Sequence, residues 1–105
     1  MYILLACNNG ASTSIVVQKM KEAAAAKGID CTIRAVDMNS VQDEIGKFDV
    51  LLIGPQIMMH LNRFKKMVNG AAPVDAIKPL DYGRLRGENI LNQALQLIEK
   101  GGDKS

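Results

Sequence analysis

Cys7 is the residue in this chain best placed to act as a nucleophile. It follows the apolar run Tyr2-Ile-Leu-Leu-Ala6 and precedes Asn8-Asn-Gly-Ala-Ser-Thr-Ser14. An apolar run that gives way to small polar residues reads as a strand ending in a loop. The segment from Ser14 to Lys27 reads as a helix, with Ile15, Val16, Met20, Ala23 and Ala24 as its apolar stripe, Ser12 to Ser14 as N-cap candidates and Gly28 as its stop, so the sulfur stands at a strand-to-helix turn. Such a turn offers unpaired backbone N–H groups and the positive end of a helix dipole, which favour a thiolate and can hold a dianion. Gly10 and Ala11 let the backbone curl closely around a bound group. Ser12, Thr13 and Ser14 carry hydroxyl donors, and Asn8 and Asn9 carry amide donors. No acidic residue occurs before Glu22, so nothing in the loop repels a phosphate. These residues suit an anion site built around a sulfur, with Cys7 as nucleophile and residues 8 to 14 as the phosphate-binding loop. Taken by themselves they also fit a buried cysteine at an ordinary turn. Cys31 lies in a predicted strand without neighbouring donors and is expected to be a packing residue.

One comparison bears on the reaction. Low-molecular-weight tyrosine phosphatases and the related arsenate reductases place a nucleophilic Cys in a C-x5-R-S loop after their first strand. Here Cys7 and five residues are followed by Thr13-Ser14, so Thr13 occupies the place of the Arg. Without the guanidinium fork the phosphoryl oxygens lose their bidentate clamp. No acid stands beside the loop in sequence to activate water, with Asp81 in a later loop left open for that role. A phosphocysteine formed here is expected to hydrolyse slowly, which suits a carrier better than a phosphatase.

The remaining elements position this loop. Cys31-Thr-Ile-Arg-Ala-Val36 alternates and is β-branched, hence a second strand, and Ser40 with Asp43 resembles a capping box for a short helix. Val50-Leu-Leu-Ile53 is a third strand closed by Gly54-Pro55. A third helix is expected next, with Ile57, Leu61, Phe64 and Val68 on one face and Gly70 past its end. Pro73-Val-Asp-Ala-Ile77 reads as a weak edge strand, and Glu88 to Lys100 as the last helix, stopping at Gly101-Gly102. Strands alternating with helices predict an α/β fold with a four-stranded parallel sheet in the order 2-1-3-4 and helices on both faces. In such a sheet a ligand sits where the winding direction changes, between the carboxyl ends of strands one and three. Cys7 and Gly54-Pro55-Gln56 lie at those two ends.

Composition excludes several functions. The 105 residues fit a single domain, 1–105. Aromatics are only 4%, which leaves no platform for stacking bases and counts against a flavodoxin-like module binding a flavin or nucleotide. A net charge of +2 is too small to imply nucleic acid or an anionic membrane as partner, and Arg63, Lys65 and Lys66 read as a solvated helix side. The apolar opening is too short for a signal or a membrane span, so a cytoplasmic location is expected. Cys7 and Cys31 have no zinc or thioredoxin-type spacing; neither a metal nor a cofactor is expected. His60 falls inside the third helix, away from the switch point, and reads as a surface histidine.

Across almost its whole length the sequence resembles the IIB components of the lactose/cellobiose family of bacterial phosphoenolpyruvate-dependent sugar phosphotransferase systems, especially the cellobiose/chitobiose type. The resemblance rests on the apolar first strand, Cys7 with Gly10 and Ser12-Thr13-Ser14 behind it, Leu52-Ile-Gly-Pro-Gln-Ile57, and Tyr82-Gly83 before the last helix. It implies the low-molecular-weight phosphatase type of fold and a phosphocysteine at Cys7. The phosphate would come from a phosphohistidine of the IIA subunit and pass to a sugar held by the membrane IIC subunit. It also implies that Gly54, Pro55, Gln56, Tyr82 and Gly83 wall the site. Asn8-Asn9 departs from the family, which often has smaller residues there. A monomer that touches the membrane only through IIC is the expected state, since a carrier must release each partner quickly.

Overall fold

The structure, a computed structural model, describes the backbone of residues 1–7 and 10–101 and the side chains of residues 1–7 and 13–100. Among the described residues, strands β1 (Tyr2–Cys7), β2 (Thr32–Asp37), β3 (Val50–Ile53) and β4 (Val74–Ala76) form a parallel sheet in the order β2-β1-β3-β4. This is the predicted order, with β4, which begins just after Pro73, at an edge. From Ile3 onward β1 and β3 are buried on both faces, which is why they read as unbroken apolar runs.

The two-residue period of the strands sorts their side chains into two cores. Ile3, Leu5, Val50 and Leu52 pack with Val16, Met20 and Ala24 of α1 (Gly10–Lys27) and with Ile90, Leu91 and Ala94 of α4 (Gly87–Gly101). Leu4, Ala6, Leu51 and Ile53 face the other way, onto Val41, Ile57 and the Phe64 and Val68 side chains of α2 (Leu61–Val68). Counting on from Ile3 and Leu5, Cys7 belongs to the α1 face.

Four expectations need correction. Helix α1 begins at Gly10 rather than near Ser14, so Ser12, Thr13 and Ser14 lie inside its first turns and are not caps. Ser and Thr favour caps because their hydroxyls bond to local backbone, but the Thr13 hydroxyl is engaged by the Cys7 and Tyr82 side chains, and those contacts prevail. Ile15, assigned to the apolar stripe, is 48% exposed. The expected third helix is two pieces, a 3-10 segment over Pro55–His60 with a non-helical Ile57, followed by α2. The apolar spacing nonetheless brings Ile57, Phe64 and Val68 inward. Finally, the segment Met38–Glu44 is 3-10, capped by the Asp37 carboxylate accepting from the Asn39 N–H at 2.9 Å rather than by Ser40.

Two helix ends follow their sequence signals. Gly28 adopts a φ of 70°, and the Ile29 N–H donates back to the Ala24 carbonyl at 2.9 Å, closing α1. Past α2, Asn69 and Gly70 both take positive φ. A short helix α3 (Pro79–Gly83) was not anticipated. Its five residues are too few for periodicity to reveal, although Pro79 marks its first turn.

Candidate active site

The site grows from the end of β1. Parallel pairing sets Ala6 between Val36 and Ile53, and Cys7 opposite Asp37. The Gly54 N–H continues the ladder, donating to the Ala6 carbonyl at 2.8 Å, so the segment after β3 is held against the end of β1. A Cβ placed on Gly54 would lie 3.4 Å from the Cys7 Cβ and 2.7 Å from the Gln56 Oε1. Gly54 therefore lets two strand ends and the Gln56 amide come together beside the sulfur. The Pro55 ring is half-buried and Gln56 is exposed.

Cys7 is a thiol, 3% exposed. Its Sγ is hydrogen-bonded to the Thr13 Oγ1, which lies one turn into α1. The Thr13 side chain is itself buried, and its Oγ1 meets the Tyr82 hydroxyl at 3.1 Å. Thr13 thus stands between the sulfur and a phenol contributed by α3. The first turn of α1 holds no acidic residue, so its amide dipoles act on the sulfur unopposed from that helix. Asn8 and Asn9 lie outside the described residues, and Gly10, Ala11 and Ser12 are described by their backbone alone. Ser14 is exposed on α1.

Tyr82 is placed by a compact local network. Its ring packs into the core on the α1 and α4 side of the sheet. Asp81, beside it, accepts from the Asn89 Nδ2 at 3.2 Å and lies 3.8 Å from the Arg86 guanidinium, while the Arg86 N–H donates to the Asp81 carbonyl. The Asp81 carboxylate is therefore committed to residues leading into and along α4. Leu85 makes the reversal between α3 and α4 at a φ of 55°, with its side chain packed on the core. Gly83 ends α3 exposed, with no heavy atom within 4 Å of the place its Cβ would take.

The structure brings Cys7, Thr13, Gly54 and Tyr82 together, and Gln56 adjoins Gly54. It adds Asp37, an acidic neighbour of Cys7 across the ladder that sequence reasoning missed. Only strand register reveals it, and its carboxylate is turned to cap the following 3-10 segment. His60 sits at the junction before α2, half-buried. Cys31 is half-buried at the opposite end of the sheet, and burial pushes its thiol pKa up. Among the described residues no cluster of three or more His, Cys, Asp or Glu could hold a metal ion, and no helix is long and apolar enough to cross a membrane. A separate polar recess of about 350 Å³ between β4 and α4 is lined by Asp75, Lys78, Asn92 and Gln93, among others. Of the residues that sequence reasoning weighed for the site, Asp81 alone lines it.

Comparison with known proteins identifies the family of the chain. Residues 2–93 fit the model of the family described as "PTS system, Lactose/Cellobiose specific IIB subunit". The chain is 40% identical to the galactose-specific EIIB component and 40% identical to a cellobiose-specific EIIB component, both of Lactococcus lactis, with 91% of this chain and 94% of each relative covered. It is 37% identical, at the same coverage, to the oligo-beta-mannoside-specific EIIB component of Bacillus subtilis. Among solved structures, the cellobiose-specific IIB protein of Borrelia burgdorferi superposes with a TM-score of 0.81 at 32% identity, covering 96% of this chain and 94% of that one. The lactose-specific IIB domain of Streptococcus pneumoniae shares the fold, with a TM-score of 0.82 at 15% identity over 92% of this chain and 96% of that one. On sequence and fold together, the chain belongs to the lactose/cellobiose-specific IIB subunit family of the sugar phosphotransferase system.

Proposed function

We propose that this chain is the phosphoryl carrier of a sugar phosphotransferase system, holding phosphate on Cys7 between two partners. The observation that carries the reading is a buried thiol at the end of β1, bonded to a hydroxyl of the acid-free first turns of α1, in a chain of the IIB family. In the first transfer the Cys7 thiolate attacks the phosphorus of a phosphohistidine on the IIA subunit. The S–P bond forms as the P–N bond breaks, and the electron pair leaves with the imidazole nitrogen. In the second, a sugar hydroxyl held by the membrane IIC subunit attacks phosphorus. The O–P bond forms, the S–P bond breaks, Cys7 returns as thiolate, and the hydroxyl proton goes to a base supplied by IIC. Backbone N–H groups at the start of α1, with the Ser12, Thr13 and Ser14 hydroxyls, serve the three phosphoryl oxygens. Transfers of this kind depend mainly on positioning and electrostatic stabilisation.

The site walls in this reading are Gly54, Pro55, Gln56, Tyr82 and Gly83. Met58 and Met59, 49% and 71% exposed on the segment after Gln56, form an adaptable apolar rim for docking partners. The protein works in the cytoplasm as a monomer of one domain and reaches the membrane through IIC. Three relatives of similar identity are named for galactose, cellobiose and oligo-β-mannoside, and in this reading the sugar is bound by IIC, not by this chain. The test is reconstitution. Membrane vesicles carrying the cognate IIC, supplied with phosphorylated IIA and a β-linked disaccharide, are expected to make sugar phosphate only when this chain is added. Product formation that persists with Cys7→Ser would remove Cys7 from the relay.

A further inference from the structure

We infer that Tyr82 is a positioning residue for the Cys7 sulfur, acting through the Thr13 hydroxyl. The inference rests on the reading of Cys7 as the reacting nucleophile and assigns how its environment is oriented. The chain of contacts is Cys7 Sγ, Thr13 Oγ1 and Tyr82 Oη, the last pair 3.1 Å apart, with all three residues buried.

Proton counting gives the chain a direction. A thiolate accepts hydrogen bonds and donates none, and a Thr or Tyr hydroxyl carries one proton. With the sulfur ionised, the Thr13 proton must point at Sγ for that contact to be a hydrogen bond. Thr13 Oγ1 is then left as an acceptor toward Tyr82, and the Tyr82 proton points at it. The phenol therefore keeps the Thr13 proton aimed at the reacting atom and polarises the Thr13 O–H, as linked hydrogen bonds do in a poorly solvated site. When the sulfur carries phosphate, the same acceptance leaves the Thr13 proton available to a phosphoryl oxygen. Tyr82 itself need touch neither. Its fixed place supports the role: the ring is packed in the core, and the Asp81, Arg86 and Asn89 network locks the short helix that presents it.

The test is the rate at which iodoacetamide alkylates Cys7 near neutral pH, followed by mass spectrometry in a Cys31→Ser background. It needs no phosphoryl donor, so it stands or falls separately from the carrier function. Tyr82→Phe keeps the ring and is expected to slow alkylation by roughly three- to tenfold, the effect of weakening one charge-assisted hydrogen bond. Thr13→Ser retains the hydroxyl and is expected to stay within about twofold of the parent, whereas Thr13→Val slows at least as much as Tyr82→Phe. The decisive arm is the double variant: in a Thr13→Val background, adding Tyr82→Phe should change nothing, because the link is already cut. Thermal unfolding of each variant identifies any that is not folded, and Thr13→Ser keeps the comparison informative if Thr13→Val fails to fold. An unchanged or faster rate in Tyr82→Phe, or an equal slowing in the Thr13→Val background, would overturn the inference.

Discussion

Replacing Gly87 by Ala should loosen the whole frame that holds Thr13 against Tyr82. Gly87 opens α4 and is buried against α1. A Cβ there would sit 2.4 Å from the Lys19 carbonyl carbon and 2.6 Å from both its Cβ and its carbonyl oxygen. Carbon atoms in comfortable contact are about 3.5–4.0 Å apart, so the deficit is on the order of 1 Å. Two of the three opposing atoms are backbone, and no rotamer change can move them. Helices α1 and α4 must separate, drawing Ile90, Leu91 and Ala94 away from Val16 and Met20. Overpacking of this kind costs about 1–3 kcal/mol. In a domain of this size, each kcal/mol lowers Tm by about 4–8 °C, so a fall of roughly 5–20 °C is expected in a thermal scan. Gly83→Ala is the control: it ends a helix, meets nothing within 4 Å, and should leave Tm unchanged or slightly raised. A Gly87→Ala protein melting at or above the parent would refute the steric argument.

Other outcomes follow from the surface and from titration. Met59→Glu, at a side chain 71% exposed, should leave Tm within about 2 °C while slowing phosphoryl transfer from IIA by roughly tenfold; an unaltered transfer rate places the docking face elsewhere. Burial raises the Cys31 thiol above its ordinary 9.0, and burial followed by the Glu44 hydrogen bond raises the Tyr2 phenol above its ordinary 10.0. The folded state thus favours the protonated, neutral form of both. Their contribution to stability is full below those ordinary values and is lost as pH rises through the raised ones, so Tm should decline from about pH 9 upward. Cys31→Ala should make the early part of that decline shallower, and an identical profile would remove Cys31 as a cause.

The sheet was legible because its central strands are apolar on both faces and the edge strand β4 follows Pro73 and carries Asp75. Local periodicity could also name Ile57, Phe64 and Val68 as inward-facing, since spacing alone decides which face they share. The strand order also brought Gly54 beside Cys7, but the individual side-chain contacts made across the fold could not be located. Thr13 read as a loop hydroxyl, or as a helix cap, because its two partners come from the end of β1 and from a five-residue helix sixty-nine positions away. Asp37 came to the site through strand register, which no local pattern encodes. The kink at Ile57 escaped for a related reason: the apolar stripe is nearly the same for a 3-10 turn as for the first turn of an α-helix. Cys7 itself was conspicuous because a thiol, a glycine and three hydroxyls fall within eight residues of a strand end.

The central claim is that Cys7 carries the phosphate. Its most direct test is the intact mass of the protein after incubation with phosphoenolpyruvate, the general phosphotransferase proteins and a cognate IIA, beside a Cys7→Ser control. The account predicts the gain of one phosphoryl group on the parent, mapped to the Cys7 peptide, and none on the control. A phosphoryl group on the control, or none on the parent with several related IIA proteins, would contradict it.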